Sequence, residues 1–187
     1  EYVIALAQNR FPYYDEELMR DPMVVETGLN HAAVDMVNTI QADIYGEFAK
    51  ATLAVNNATF SFDNFVDAVA LMNMENVEGA EIFAFVAPAD MAAIRKALKD
   101  DLKYVEAFVR QGYVGSVAGI NLYTKADATP GTICGGIREA VTVFNKKGVE
   151  VEQQREANTR LNEVFSRKYY VAALTDATKC FKIVKTA

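Results

Sequence analysis

Between Met23 and Phe48 the residues Val25, Leu29, Ala32 or Ala33, Met36, Ile40, Ile44 and Phe48 recur at helical spacing, which predicts one helix about seven turns long. Asp21-Pro22 is a suitable opening for it. Roughly 30 residues span about 45 Å at the helical rise. A chain of 187 residues, 51% of them apolar, has material for one substantial core or two small ones. No such core covers a helix of that length completely. The stripe therefore calls for a sheet laid along it, or another subunit.

Around the helix the signals are mixed. Tyr2 to Ala7 is an apolar run predicted as a strand, and Asp15-Glu16-Glu17 before Leu18 and Met19 starts a short helix. Asn56-Asn57 breaks the long pattern. Ser61, Asp63 and Asn64 then open a helix that buries Phe62, Phe65, Val66, Val69 and Ala70. Ile82 to Ala87 reads as a buried strand, followed by Pro88 in the first turn of a helix that runs through Leu98. Gly112, Gly115 and Gly119 punctuate the next stretch, and Ile120 to Tyr123 is a short strand. "REAVTVFNKKG" predicts a strand closed by a Lys146-Lys147-Gly148 turn, and Leu161 to Tyr170 a further extended run. Finally, Tyr169–Leu174 and Cys180–Val184, separated by "TDAT", predict a terminal β-hairpin. This order of elements argues for an α+β fold rather than a doubly wound sheet.

Chemistry-bearing residues are sparse. His31 is the sole histidine and falls beside the apolar stripe of the helix, where a surface or boundary role is the default. With no His/Cys/Asp cluster at ligand spacing, no metal and no other cofactor is expected. Cys134, in "TPGTICGGI", is conceivable as the nucleophile of a small hydrolase, but a small buried hydrophobe at a tight turn explains it as well. That stretch lacks the Gly-Lys-Ser/Thr ending of a phosphate loop. The Gly112 to Gly119 region is a second conceivable ligand cradle. Two cysteines, Cys134 and Cys180, form no disulfide framework, which fits a reducing, intracellular setting. No apolar run approaches the roughly 20 residues that cross a bilayer. The chain opens on Glu1 inside an apparent strand, as a fragment with its N-terminal portion removed would.

Charge is the more informative signal. The net charge of −6 is poorly suited to neutralising phosphates. Residues 1–140 carry 10 basic and 20 acidic side chains and residues 141–187 carry 9 and 5, giving −10 and +4. Such asymmetry is either ordinary solvated surface or a means for copies of the chain to attract each other head to tail. "EVEQQREANTR" crowds Glu150, Glu152, Arg155, Glu156 and Arg160 together, with Arg167 and Lys168 following. Carboxylates interleaved with arginines make ion pairs rather than an acid/base site. At a repeated subunit boundary they set register and partner choice.

Three pieces in succession resemble the major capsid proteins of tailed bacteriophages and prophages, the Hong Kong 97-type coat fold. They are "FAFVAPADMAAIRK", a strand into a Pro-started helix; "GSVAGINLYT", Gly-x-x-x-Gly before an apolar strand; and the ending "VEVEQQREANTRLNEVFSRKYYVAALTDATKCFKIV". The resemblance implies a peripheral domain from residues 1–55, with the spine helix at 22 to about 54, and from the returning strands of 141–168. It implies an axial domain from 56–140 and a terminal hairpin at 169–187. The family's N-terminal arm and extended loop before the spine helix have no counterpart in this sequence, nor has the loop lysine that cross-links some relatives. What the resemblance implies for function is a structural, non-enzymatic subunit of an icosahedral shell of pentamers and hexamers enclosing double-stranded DNA, found in the virion and, before assembly, in the host cytoplasm. Its partners would be itself, a scaffold, a portal or a maturation protease, and DNA bound without sequence specificity, with no membrane. An encapsulin-type nanocompartment shell is the alternative use of the same fold. Glu150, Glu152, Arg155, Glu156, Arg160, Arg167 and Lys168 are then the candidate subunit contacts.

Overall fold

The computed structural model describes residues 2–73, 81–98 and 115–186. Strand β1 (Ala5–Tyr14) leads through the short helix α1 (Asp15–Arg20) into the long helix α2 (Val24–Ala49). Strand β2 (Leu53–Asn57), helix α3 (Phe62–Leu71), strand β3 (Ile82–Val86) and helix α4 (Pro88–Ala97) follow. Then come five strands: β4 (Ser116–Val117), β5 (Ile120–Thr124), β6 (Thr132–Ile137), β7 (Val141–Glu156) and β8 (Leu161–Leu174). A ninth, β9 (Cys180–Lys185), ends the described chain. The chain divides into two compact units, residues 1–44 with 143–173 and residues 45–142 with 174–187.

In the first unit the sheet order is β1-β8-β7. β1 lies antiparallel to β8, with Leu6 opposite Tyr169, Phe11 opposite Val164 and Tyr14 opposite Leu161. The strand continues past the predicted Tyr2–Ala7 run and through Pro12, which an edge strand tolerates because it needs no inward N–H there. α2 supplies the predicted stripe, with one correction. Its buried side runs through Gly28, Ala32 and Met36, while Leu29 is 37% exposed. A Cβ on Gly28 would run into the ring of Phe11, so a residue with no side chain is what lets strand and helix close. Ala7, Met36 and Tyr170 form the small core, with Ala5, Ile40 and Val143 against it. Two polar ties join helix and sheet: the Tyr170 hydroxyl donates to Asp43, and Asn9 Nδ2 donates to Asp35 at 3.1 Å.

The second unit holds a sheet of order β2-β9-β6-β3-β5-β4. One face carries Ala84, Val86, Ile120, Ile133, Phe181 and Ile183, packed with Phe65 of α3 and Ile94 of α4. "TPGTICGGI", read from sequence as a tight turn or loop, is instead mostly the central strand β6. Its glycines serve strand packing: a Cβ on Gly135 would lie 2.8 Å from Ala84 Cα, and one on Gly136 2.8 Å from Cys180 Cα. Asp90 in the first turn of α4 is buried and accepts from Gly131 N–H at 2.7 Å, fixing the bend that precedes β6.

Three further expectations fail. Phe62 and Val66, expected in the buried face of α3, are 48% and 43% exposed, while Phe65 is enclosed. The terminal hairpin does not exist: β8 pairs with β1, whereas β9 runs parallel to β2 and antiparallel to β6. Thr175 and Asp176 donate their N–H groups to Ala140 O, and Asp176 accepts from Thr178 N–H at 2.9 Å. Those bonds turn the chain out of one sheet and into the other, where two apolar runs and a polar gap alone suggest mutual pairing. Nor does the chain turn at Lys146-Lys147-Gly148, because β7 passes through all three. The reversal comes at residues 157–160, where Arg160 takes the left-handed conformation (φ 55°).

Candidate functional site

The candidate contact residues all lie on the β7–β8 hairpin and its turn, and most already have partners within the chain. Arg155 bonds Asp15 at 2.8 Å, Arg160 reaches Glu16 at 3.4 Å, and Glu152 accepts from Arg167 at 3.0 Å. Glu150 pairs with Lys147, and Glu156 accepts from the Thr159 hydroxyl at 2.8 Å. The Arg167 guanidinium also stands 6.0 Å from the centroid of the Phe165 ring. Lys168 stands opposite Ala7 on β1. Arg155 and Arg160 are thus matched by Asp15 and Glu16 of α1, while the Lys147–Glu150 and Arg167–Glu152 pairs are internal to the hairpin.

The tightest part of this surface is one that sequence reasoning missed. Asp15 was legible as a helix start, but its carboxylate accepts from Asn162 Nδ2 at 2.6 Å as well as from Arg155. The Asn162 hydrogen bond first, and Arg155 second, hold Asp15 below the ordinary carboxylate value. Beside it, Gln153 Nε2 donates to the Tyr13 hydroxyl at 2.9 Å. Asn162 itself is buried. This cluster locks the hairpin to β1 and α1, and every polar group named in it has a partner. It holds structure rather than moving protons.

The remaining candidates do not assemble into a reactive centre. Cys134 is fully buried, and burial pushes its thiol up to about 11, the opposite of what activates a nucleophile. The Tyr45 ring lies edge-on to Phe85, and its hydroxyl accepts from Thr129 N–H at 2.9 Å. His31 is exposed on α2. Gly112 of the suggested ligand cradle lies outside the described residues. Gly119 and Ala118 form the positive-φ turn between β4 and β5, beside a cavity of about 580 Å³ lined by Ser61, Phe62, Leu98 and Val117. Among the described residues, no group of three or more His, Cys, Asp or Glu is placed to hold a metal, and no helix is long and apolar enough to cross a membrane.

Comparison with known proteins gives the fold its context. A family model described as "Phage capsid protein" matches residues 2–183. The chain is 25% identical over 166 residues to the major capsid protein of Staphylococcus phage phiMR11, covering 87% of this chain and 58% of that protein's length. A solved chain from Mycobacterium phage Che8 superposes with a TM-score of 0.75 at 16% identity, covering 98% of this chain and 71% of its own. The SrpI encapsulin of Synechococcus elongatus superposes with a TM-score of 0.71 at 12% identity, over 99% and 75%. The mixed α+β arrangement described above is thus the Hong Kong 97-type capsid fold.

Proposed function

The chain belongs to the phage capsid protein family, and from that premise we propose that it is the structural subunit of an icosahedral phage or prophage shell. In this reading copies assemble into pentamers and hexamers that enclose double-stranded DNA, and the protein resides in the virion after assembly in the host cytoplasm. The family match across residues 2–183 carries the reading. The unreactive Cys134 and the largely paired charges of the β7–β8 hairpin support a structural rather than a catalytic role. In this reading residues 1–55 with 141–168 are the peripheral domain and residues 56–140 with 169–187 the axial one, a division supported by the two compact units, which break nearby at 44/45, 142/143 and 173/174. The acidic balance of −6 suits a container whose wall leaves its DNA free to move. Scaffold, portal and maturation protease are the further partners of this reading.

The β7–β8 hairpin carries the proposed subunit contacts, Glu150, Glu152, Arg155, Glu156, Arg160, Arg167 and Lys168. Arg155 and Arg160, held by Asp15 and Glu16, act by presenting a rigid hairpin. An encapsulin-type compartment is the second reading, favoured by the likeness to the SrpI encapsulin over nearly the whole chain. Negative-stain electron microscopy with light scattering, on protein expressed from its complete reading frame, is the test. Closed shells or rings of five or six support the coat reading, and a co-purifying cargo enzyme inside them shifts it to a compartment. A monomer at high concentration, with scaffold co-expressed, overturns both.

A further inference from the structure

A sheet edge exposes unpaired backbone N–H and C=O groups, and proteins that must stay unpaired shorten it, charge it or place proline on it. The described sheets have four edges: β1 and β7 in one, β2 and β4 in the other. β1 carries Pro12, which has no N–H to offer. β2 has five residues and β4 two. β7 has sixteen residues, no proline, and is exposed at nearly every position from Phe144 to Glu156. Val149 and Val151 are 57% and 59% exposed at its middle. One edge of the four is long and open, with neither proline nor shortness to block it, so its charged side chains decide which partner it admits.

The charges on β7 favour one partner. Two copies of a strand paired antiparallel are related by a two-fold axis perpendicular to the sheet, so each pairing centres on one residue. Centring on Glu150 or Glu152 sets that carboxylate against itself. Centring on Val151 sets Lys147 against Arg155 and Glu150 against Glu152. Centring on Val149 sets Val149 against Val149, and Lys146 against Glu152 twice over. It also overlaps nearly the full strand. Glu152 is 62% exposed even while it holds Arg167, so it has room for a second cation. Centring on Gly148 is also charge-compatible, through Lys146 and Glu150. Each of these two registers opposes one valine with Lys147, Val149 in this one and Val151 in the other; of the two, only the Val149 centre adds a valine self-pair.

We infer that β7 is a self-pairing edge: two copies of this chain join β7 to β7 antiparallel about Val149, making one continuous sheet across the boundary. The inference rests on the shell-forming reading and names one of its contacts. The Val149 Cβ atoms of the two copies would then stand about 4.5–5.5 Å apart, close to disulfide reach. The Val151 positions would be about 13 Å apart, four residues out of register.

Val149→Cys, Val151→Cys and Gly148→Cys proteins, expressed from the complete reading frame, are oxidised with diamide and run on non-reducing gels. The native Cys134 and Cys180 are buried and give a low background. The expected result is covalent dimer from V149C at least tenfold above V151C and G148C. K146E on the V149C background lowers that yield severalfold, and K146E with E152K restores it. Shells or rings that form in the microscope while V149C links no better than V151C overturn the self-pairing edge and leave the coat reading standing. Cross-linking strongest at G148C overturns the Val149 centre. Neither shells nor dimer overturns the inference together with the reading it rests on.

Discussion

In the unit built from residues 45–142 and 174–187, Phe65, Ile94, Ile120, Ile133, Phe181 and Ile183 are each fully enclosed. In the unit built from residues 1–44 and 143–173, Tyr170 is the one large side chain so enclosed among the described residues. Met23, Val34, Val37, Phe144, Val149 and Val151 there remain more than half exposed. The larger unit is held by apolar burial at about 25 cal/mol per Å². The smaller is held by one helix on a three-stranded sheet and by polar ties at the hairpin. A layer with one face covered and its outer strand bare is what a subunit looks like when neighbours complete its burial.

The largest expected effect separates the units directly. Phe181→Ala should cost about 3–5 kcal/mol through lost transfer energy and the cavity left behind, read as a lower urea midpoint. Val151→Ala on the exposed β7 should change stability by no more than about 0.5 kcal/mol. Comparable losses from both would mean that β7 is not the bare edge it is taken for. Within the larger unit, Asn64 is fully buried at the start of α3. It donates to Thr59 O at 2.6 Å and accepts from Asn57 Nδ2 and the Ser61 hydroxyl. Asn64→Ala leaves those partners short of hydrogen bonds and should cost ~1–3 kcal/mol. A neutral result would show that water replaces the side chain, and that even this unit is wetter than its core implies.

The same contrast explains what could be read from the sequence. Apolar periodicity is local, so the α2 stripe, the Ile82–Ala87 strand and the Pro88 start are all legible there. The predicted stripe strays at Leu29 because hydrophobicity cannot reveal that Phe11 needs the vacancy at Gly28. Gly135 and Gly136 look like a turn because close approach of neighbouring strands leaves no mark on composition. The terminal hairpin fails for a related reason: Tyr169–Leu174 and Cys180–Val184 have the right pattern, but Ala140 captures the N–H groups of Thr175 and Asp176 and parts them. The charged contact candidates were found as a cluster. The partners of Arg155 and Arg160 do not show in it, since Asp15 and Glu16 lie 140 and 144 residues away, and pairing over such separations is decided by topology.

The smallest effect tests the polar ties of the smaller unit. Asp15 is held below its ordinary value of 3.8 by Asn162 first and Arg155 second. A carboxylate depressed by folding contributes stability that is fully present above its unfolded value and is lost as pH falls through its folded value. Wild type and Asp15→Asn should therefore differ most near neutral pH, and their urea midpoints should converge as pH falls below about 3.8. Salt should narrow the neutral-pH gap only in part: it screens Arg155 but leaves the Asn162 hydrogen bond. A gap that vanishes in salt would make the tie a surface ion pair of little worth. In that case the hairpin would owe its position to the Tyr13–Gln153 bond and the β1–β8 ladder instead.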